Sequence, residues 1–336
     1  MSDLFQNDQW LAYAFAGLMG LSMLIYAILD GYDLGVGVLS RFASPKDKDI
    51  MIASIGPFWD ANETWLVLGV GLLLVAFPAA HGVILSNLYL PVALMLLGLI
   101  FRGVAFDYRV KAPAHQKGRW NFSFFFGSLL VSFAQGFMLG HYILGFADTA
   151  MAWLFSVLVG VCVVLGYSLV GACWLILKCE GDLQRKAVVW AQRALVGTVI
   201  GIGLVSLSTP LVSPRIFDKW FSLPDFFYLA PVPLLTAGLV VGLGWLLTRL
   251  PKPEDRHNWV PFATVIGIFV LCFLGLSFSF FPYIVPEQMT IVEAASAPAS
   301  LWIIFVGTVF VLPVLAGYTV FAYWVFRGKA RELHYD

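Results

Sequence analysis

Four carboxylates stand inside otherwise apolar stretches: Asp30 and Asp33 in LDGYDLGVG (29–37), and Asp60 and Glu63 in GPFWDANETWL (56–66). A charged side chain at membrane depth costs about 2.5–3.5 kcal/mol on insertion scales, so four close together need partners or a function. Residues three apart share a helix face, which makes each pair a small acidic patch. Asp33 lies eight residues before Arg41, about 12 Å from that end at about 1.5 Å per residue. Asp60 is expected at similar depth, within the second span. Arg102 in FRGVAFDYR (101–109) is the cation that a third span returns to this level. One arginine does not neutralise four carboxylates, so the set must share protons or be hydrated through a polar channel. Such groups pass protons. The competing reading is a structural ion-pair network joining three helices, with Gly31, Gly35 and Gly37 permitting close packing.

Trp59 and Trp65 flank the second acidic patch, and Pro57 is expected to kink the helix just before them. His141 is the one histidine at membrane depth. Alone it is weak as a haem ligand and is expected to be interfacial or hydrogen-bonded. No phosphate loop, nucleophile elbow or metal cluster is visible, so no catalytic, cofactor-binding or metal-binding residue is assigned to this chain.

The elements that must position these groups follow from composition. Of 336 residues, 60% are hydrophobic and 12% charged, with mean hydropathy +0.86, where soluble domains carry about 25% charge. The expectation is an all-α polytopic membrane protein, one integral-membrane domain over 1–336. A span needs about 20 apolar residues. Nine helices are predicted, over 10–39, 50–79, 82–107, 121–146, 151–177, 187–212, 225–248, 259–282 and 300–326. Two four-helix bundles plus one peripheral helix is the arrangement expected. The first nine residues hold no Lys or Arg, so the first run is read as a retained span, not a signal peptide.

Lys and Arg favour cytoplasmic loops. Arg41, Lys46 and Lys48 follow span one, Arg109, Lys111, Lys117 and Arg119 span three, and Lys178, Arg185 and Lys186 span five. Arg249, Lys252 and Arg256 follow span seven, and Arg327, Lys329 and Arg331 close the chain. The alternate connections hold only Arg215 and Lys219, a ratio of sixteen to two. The N-terminus is therefore expected outside and the C-terminus inside. Zero net charge argues against a nucleic-acid partner. Cys162, Cys173, Cys179 and Cys272 fit small core residues, not a redox or metal pair. The connection 283–299, with Pro286 and Pro298, is expected to lie along the membrane surface.

In order and spacing, LDGYDLGVG, GPFWDANETWL and FRGVAFDYR resemble subunit II of the cytochrome bd-type quinol oxidases. FPYIVPEQMTIVEAASAPASLW (281–302) is similar to the cyanide-insensitive branch. The resemblance implies a heterodimer with subunit I in the bacterial inner membrane. Subunit I would carry haem b and haem d, or b-type variants, and would oxidise quinol while reducing O2 to water. It implies that subunit II ligates no haem and that Asp60 and Asp33 match acids of a cytoplasmic proton path, with Trp65 beside an oxygen route. A quinone or lipid bound by this chain and a small accessory subunit stay open. A proton-coupled secondary transporter is the rival class, but its inverted repeats and second charged cluster are missing from the sequence.

Overall fold

The computed structural model describes residues 9–113, 115–251 and 255–330. Lys252, Arg331 and His334 lie outside the described residues. Helices follow in order: α1 Gln9–Leu39, α2 Pro45–Ile55, α3 Trp59–Ala76, α4 Pro78–Lys111, α5 Lys117–Ile143, α6 Ala150–Lys178 and α7 Gly181–Val212. Then come α8 Pro214–Phe221, α9 Asp225–Leu229, α10 Pro231–Leu247 and α11 Val260–Phe280. A short hairpin, β1 Tyr283–Val285 with β2 Met289–Thr290, precedes α12 Ile291–Ala294 and α13 Pro298–Val325. Lipid offers no hydrogen bonds to a bare backbone, so apolar stretches of this length close their own bonds as helices. Among the described residues, eight helices are long and apolar enough to cross a membrane. The count is nine if α2 and α3 form one broken span.

One expectation changes in detail. The second span is interrupted outright at Gly56–Phe58, not merely kinked. Pro57 has no N–H to offer the preceding turn, and α3 restarts at Trp59. Within the connection 283–299, Thr290 and Glu293 form a reciprocal cap on α12. Ser296 then donates its backbone N–H to the Ala76 carbonyl and its hydroxyl to that of Val75, fastening the connection to the end of α3.

The chain divides into two compact units, one containing residues 9–30, 57–88 and 280–327 and the other 31–56, 89–279 and 328–330 among those described. In the first, Trp10 meets Trp302 and Phe305 edge-on, joining the start of α1 to α13. In the second, α1 lies flush on α6: a Cβ at Gly35 would stand 1.7 Å from the Tyr167 carbonyl oxygen, and one at Gly171 2.6 Å from the Gly35 carbonyl carbon. Only hydrogen fits between these backbones. Beside this contact Tyr32 stacks on Trp174 at 4.2 Å, and the Trp174 indole donates to the Ser54 carbonyl.

The basic connections of the second unit are bound to one another. Lys186 pairs with Asp47 at 2.7 Å, and Arg109 with Asp49 at 2.6 Å and with Asn121. Lys329 pairs with Asp255 at 2.7 Å and donates to the Cys179 carbonyl, while Lys178 donates to that of Gly328. Gln184 joins the Ile176 carbonyl to Asp255. The segments after spans one, three, five and seven and the tail are thus gathered on one face of this unit.

Candidate functional site

Within the second unit, Asp33 and Arg102 meet. Both side chains are withdrawn from solvent, at 0% and 1% exposure, with Oδ2 and Nη2 3.9 Å apart. The close seating of α1 produces this. Gly35 and Gly37 remove the side chains that would hold the helix away, and a Cβ at Gly37 would fall 2.0 Å from the Ser128 hydroxyl of α5. Arg102 projects from α4, whose Gly98 abuts α5 at Gly127. At 3.9 Å the pair is attracted as charges.

Asp30, one turn before Asp33 on α1, is also 0% exposed. It belongs to the first unit, as do Trp59, Asp60, Glu63 and Trp65. Here the sequence expectation is corrected in two respects. Asp60 is not in mid-helix; it is the second residue of α3, in the first turn after the break. The free N–H groups of that turn and the helix dipole favour negative charge there. Nor is it buried within this chain: Asp60 is exposed and Glu63 half-buried, whereas Asp30 and Asp33 are enclosed. Trp59 is half-buried and Trp65 buried, the Trp65 indole N–H having no hydrogen-bond partner among the described residues.

The residue that sequence reasoning missed is Asn62. It is 0% exposed, donates to the Leu29 carbonyl at 3.3 Å and accepts from the Tyr323 hydroxyl at 3.1 Å. Leu29 immediately precedes Asp30, so this amide ties the turn of α1 that carries Asp30 to α3 and, through Tyr323, to α13. An uncharged amide between Asp60 and Glu63 was the available signal.

His141, expected to be interfacial or hydrogen-bonded, is enclosed among aromatic rings. It is 6% exposed, its Nδ1 has no partner among the described residues, and its ring lies 5.3 Å from Trp153 and 5.8 Å from Phe146. No group of three or more His, Cys, Asp or Glu among the described residues is placed to hold a metal ion. The four cysteines are free.

The family model described as cytochrome bd terminal oxidase subunit II matches residues 11–326. The chain is 28% identical to cytochrome bd ubiquinol oxidase subunit 2 of Bacillus subtilis, covering 93% of this chain and 94% of that one. It is 27% identical to cytochrome bd-I ubiquinol oxidase subunit 2 of Escherichia coli, covering 93% of each. Its fold is similar to a chain of the bd oxidase from Geobacillus thermodenitrificans, with a TM-score of 0.78, 16% identity and coverage of 94% and 98%.

Proposed function

The chain belongs to the cytochrome bd terminal oxidase subunit II family, and from that premise we propose that it supplies the proton path of a quinol:oxygen oxidoreductase whose haems sit in subunit I. In this reading the chain acts as a single integral-membrane domain in the bacterial inner membrane, with its N-terminus periplasmic and C-terminus cytoplasmic. Its helices form two four-helix bundles and one peripheral helix, and it scaffolds subunit I. The partner carries haem b and haem d, or b-type variants. The complex oxidises quinol and reduces O2 to water with protons drawn from the cytoplasm. No haem ligand, metal ligand or substrate-transforming residue is assigned to this chain.

The observation that carries the proposal is the contrast among the acids. Asp30 and Asp33 are withdrawn from solvent, while Asp60 is exposed in the first turn of α3, a helix that makes a span only together with α2. An acid on a lipid-facing surface is costly, so Asp60 calls for a protein or a water-filled passage over it. Asp60 and Glu63 then collect protons, Asp30 and Asp33 pass them on, and Arg102 keeps Asp33 from carrying an uncompensated charge. Trp59 and Trp65 wall the passage.

The test is Asp60→Asn in the assembled complex, reading O2 consumption beside the haem absorption spectrum. The proposal expects turnover to fall by at least about tenfold, a modest loss for removing a proton-transfer group, with the spectrum unchanged. Full turnover would sink it. A purely structural role would instead reduce the yield of complex and leave activity per haem intact.

A further inference from the structure

The two basic residues that break the charge asymmetry, Arg215 and Lys219, sit in the connection between α7 and α10, which reads SPRIFDKWFSLPDFFYLAP over 213–231. Ser213 caps α8, accepting from the Ile216 N–H, and Pro214 occupies the first helical position. A connection standing in water would turn its apolar side chains inward and its charges outward. This one turns its two cations and Ile216 toward the protein and leaves Asp218 exposed among outward rings. Arg215 donates to the Ser279 carbonyl at 2.9 Å, and the Trp220 indole donates to the Ser279 hydroxyl at 2.8 Å. The Lys219 ammonium lies 5.2 Å from the Phe278 ring centroid. Both cations and the indole N–H are therefore turned to the end of α11. Meanwhile Phe217, Phe221, Leu223, Phe226, Phe227 and Tyr228 are turned outward, Leu223, Phe227 and Tyr228 being 73%, 68% and 70% exposed.

We propose that α8 and α9 form an aromatic anchor that lies in the membrane boundary and takes phospholipid as its partner, its outward rings seated at the glycerol and upper acyl level. Three observations agree on lipid. The segment joins two membrane spans directly, leaving α7 at Val212 and entering at Asp225 the span Asp225–Leu247 that α9 and α10 form together, so α8 cannot leave the boundary region and α9 continues from it into the span. Its outward face is continuous with the apolar outward faces of those spans, at Leu207 and Leu211 of α7 and Leu234 and Leu235 of α10. Its make-up of Phe, Tyr and Leu outward with Trp and Lys at the rim is that of interfacial anchoring segments. Because both cations face the protein, the anchor holds by apolar insertion and takes neutral and anionic phospholipid alike. Arg215 and Lys219 thus lie on this side of the membrane without acting as a topological signal.

The experiment is Phe227→p-benzoylphenylalanine, with Phe221→p-benzoylphenylalanine as the second variant, in the natively purified complex reconstituted in phosphatidylcholine liposomes and irradiated. The haem spectrum and O2 consumption should match the unsubstituted complex, since neither position belongs to the proton path. The expected result is a gain of the mass of one phosphatidylcholine on this chain at both positions, and the same yield with one-third phosphatidylglycerol. A crosslink to another subunit would replace lipid with a protein partner and overturn the proposal. Unreacted benzophenone at both positions would show a water-facing loop and overturn it equally.

Discussion

At the scale of single residues, the Asp33–Arg102 pair ties stability to chemistry. With both side chains enclosed, removing the guanidinium takes the charge partner from a buried carboxylate, which costs about 3–5 kcal/mol. Arg102→Leu should therefore lower the thermal midpoint of the purified complex sharply, and Arg102→Lys should restore part of it; equal midpoints would show that the pair is not sensed. Asn62→Leu leaves the Tyr323 hydroxyl without this acceptor and frees the Leu29 carbonyl from its side-chain donor, a loss of about 1–3 kcal/mol for buried groups. Thermal unfolding checks that too, and Tyr323→Phe should lose less. The acids and Arg102 were legible in the sequence because charge inside an apolar run is conspicuous whatever the fold. Asn62 was not, since a neutral amide in a helix carries no such alarm. Nor was the exposure of Asp60, which depends on how α3 is turned after the break.

At the scale of elements, the positions of the spans could be read from apolar runs, and the seating of α1 from its glycines. Gly35→Val would drive a side chain into the Tyr167 carbonyl, and α1 and α6 would have to part. The expected outcome is loss of assembled complex from the membrane fraction, whereas Gly71, with open space around it, should accept Ala without change. The interruption at Pro57 was anticipated only as a kink, because sequence shows the missing donor but not whether neighbours hold the helix together across it. The clasp on the basic face was hidden as well: Lys178, Lys186 and Lys329 read as loop charges, and only the fold supplies their partners. Within it, burial pulls the Asp255 carboxyl up, but the hydrogen bonds from Lys329, Gln184 and Asn258 and the Lys329 charge outweigh that and hold it below the ordinary range. A depressed carboxyl contributes stability above its ordinary value of about 3.9 and forfeits it as pH falls through the lower, folded-state value. Asp255→Asn should thus unfold at a lower temperature than the unsubstituted complex at pH 7, with the gap closing below about pH 4. A gap independent of pH would contradict this.

At the scale of the whole molecule, the basic connections collect on one face of the second unit, as the positive-inside rule requires of segments that share a compartment. Composition made the membrane character plain. The division into two units and the hairpin before α13 were not legible, because both depend on pairings distant in sequence. The family match sets this chain apart from a self-contained transporter, and under the proposed function the exposed Asp60 lies beneath another subunit or a water-filled passage. The most direct measurement follows proton consumption inside proteoliposomes holding the complete oxidase, comparing the unsubstituted complex with one carrying Asp33→Asn and Asp60→Asn. The account predicts that quinol-driven O2 consumption and the accompanying alkalinisation on the basic-loop side both fall by at least about tenfold while the haem spectrum is retained. Unchanged rates of both, with both carboxylates neutralised, would contradict it.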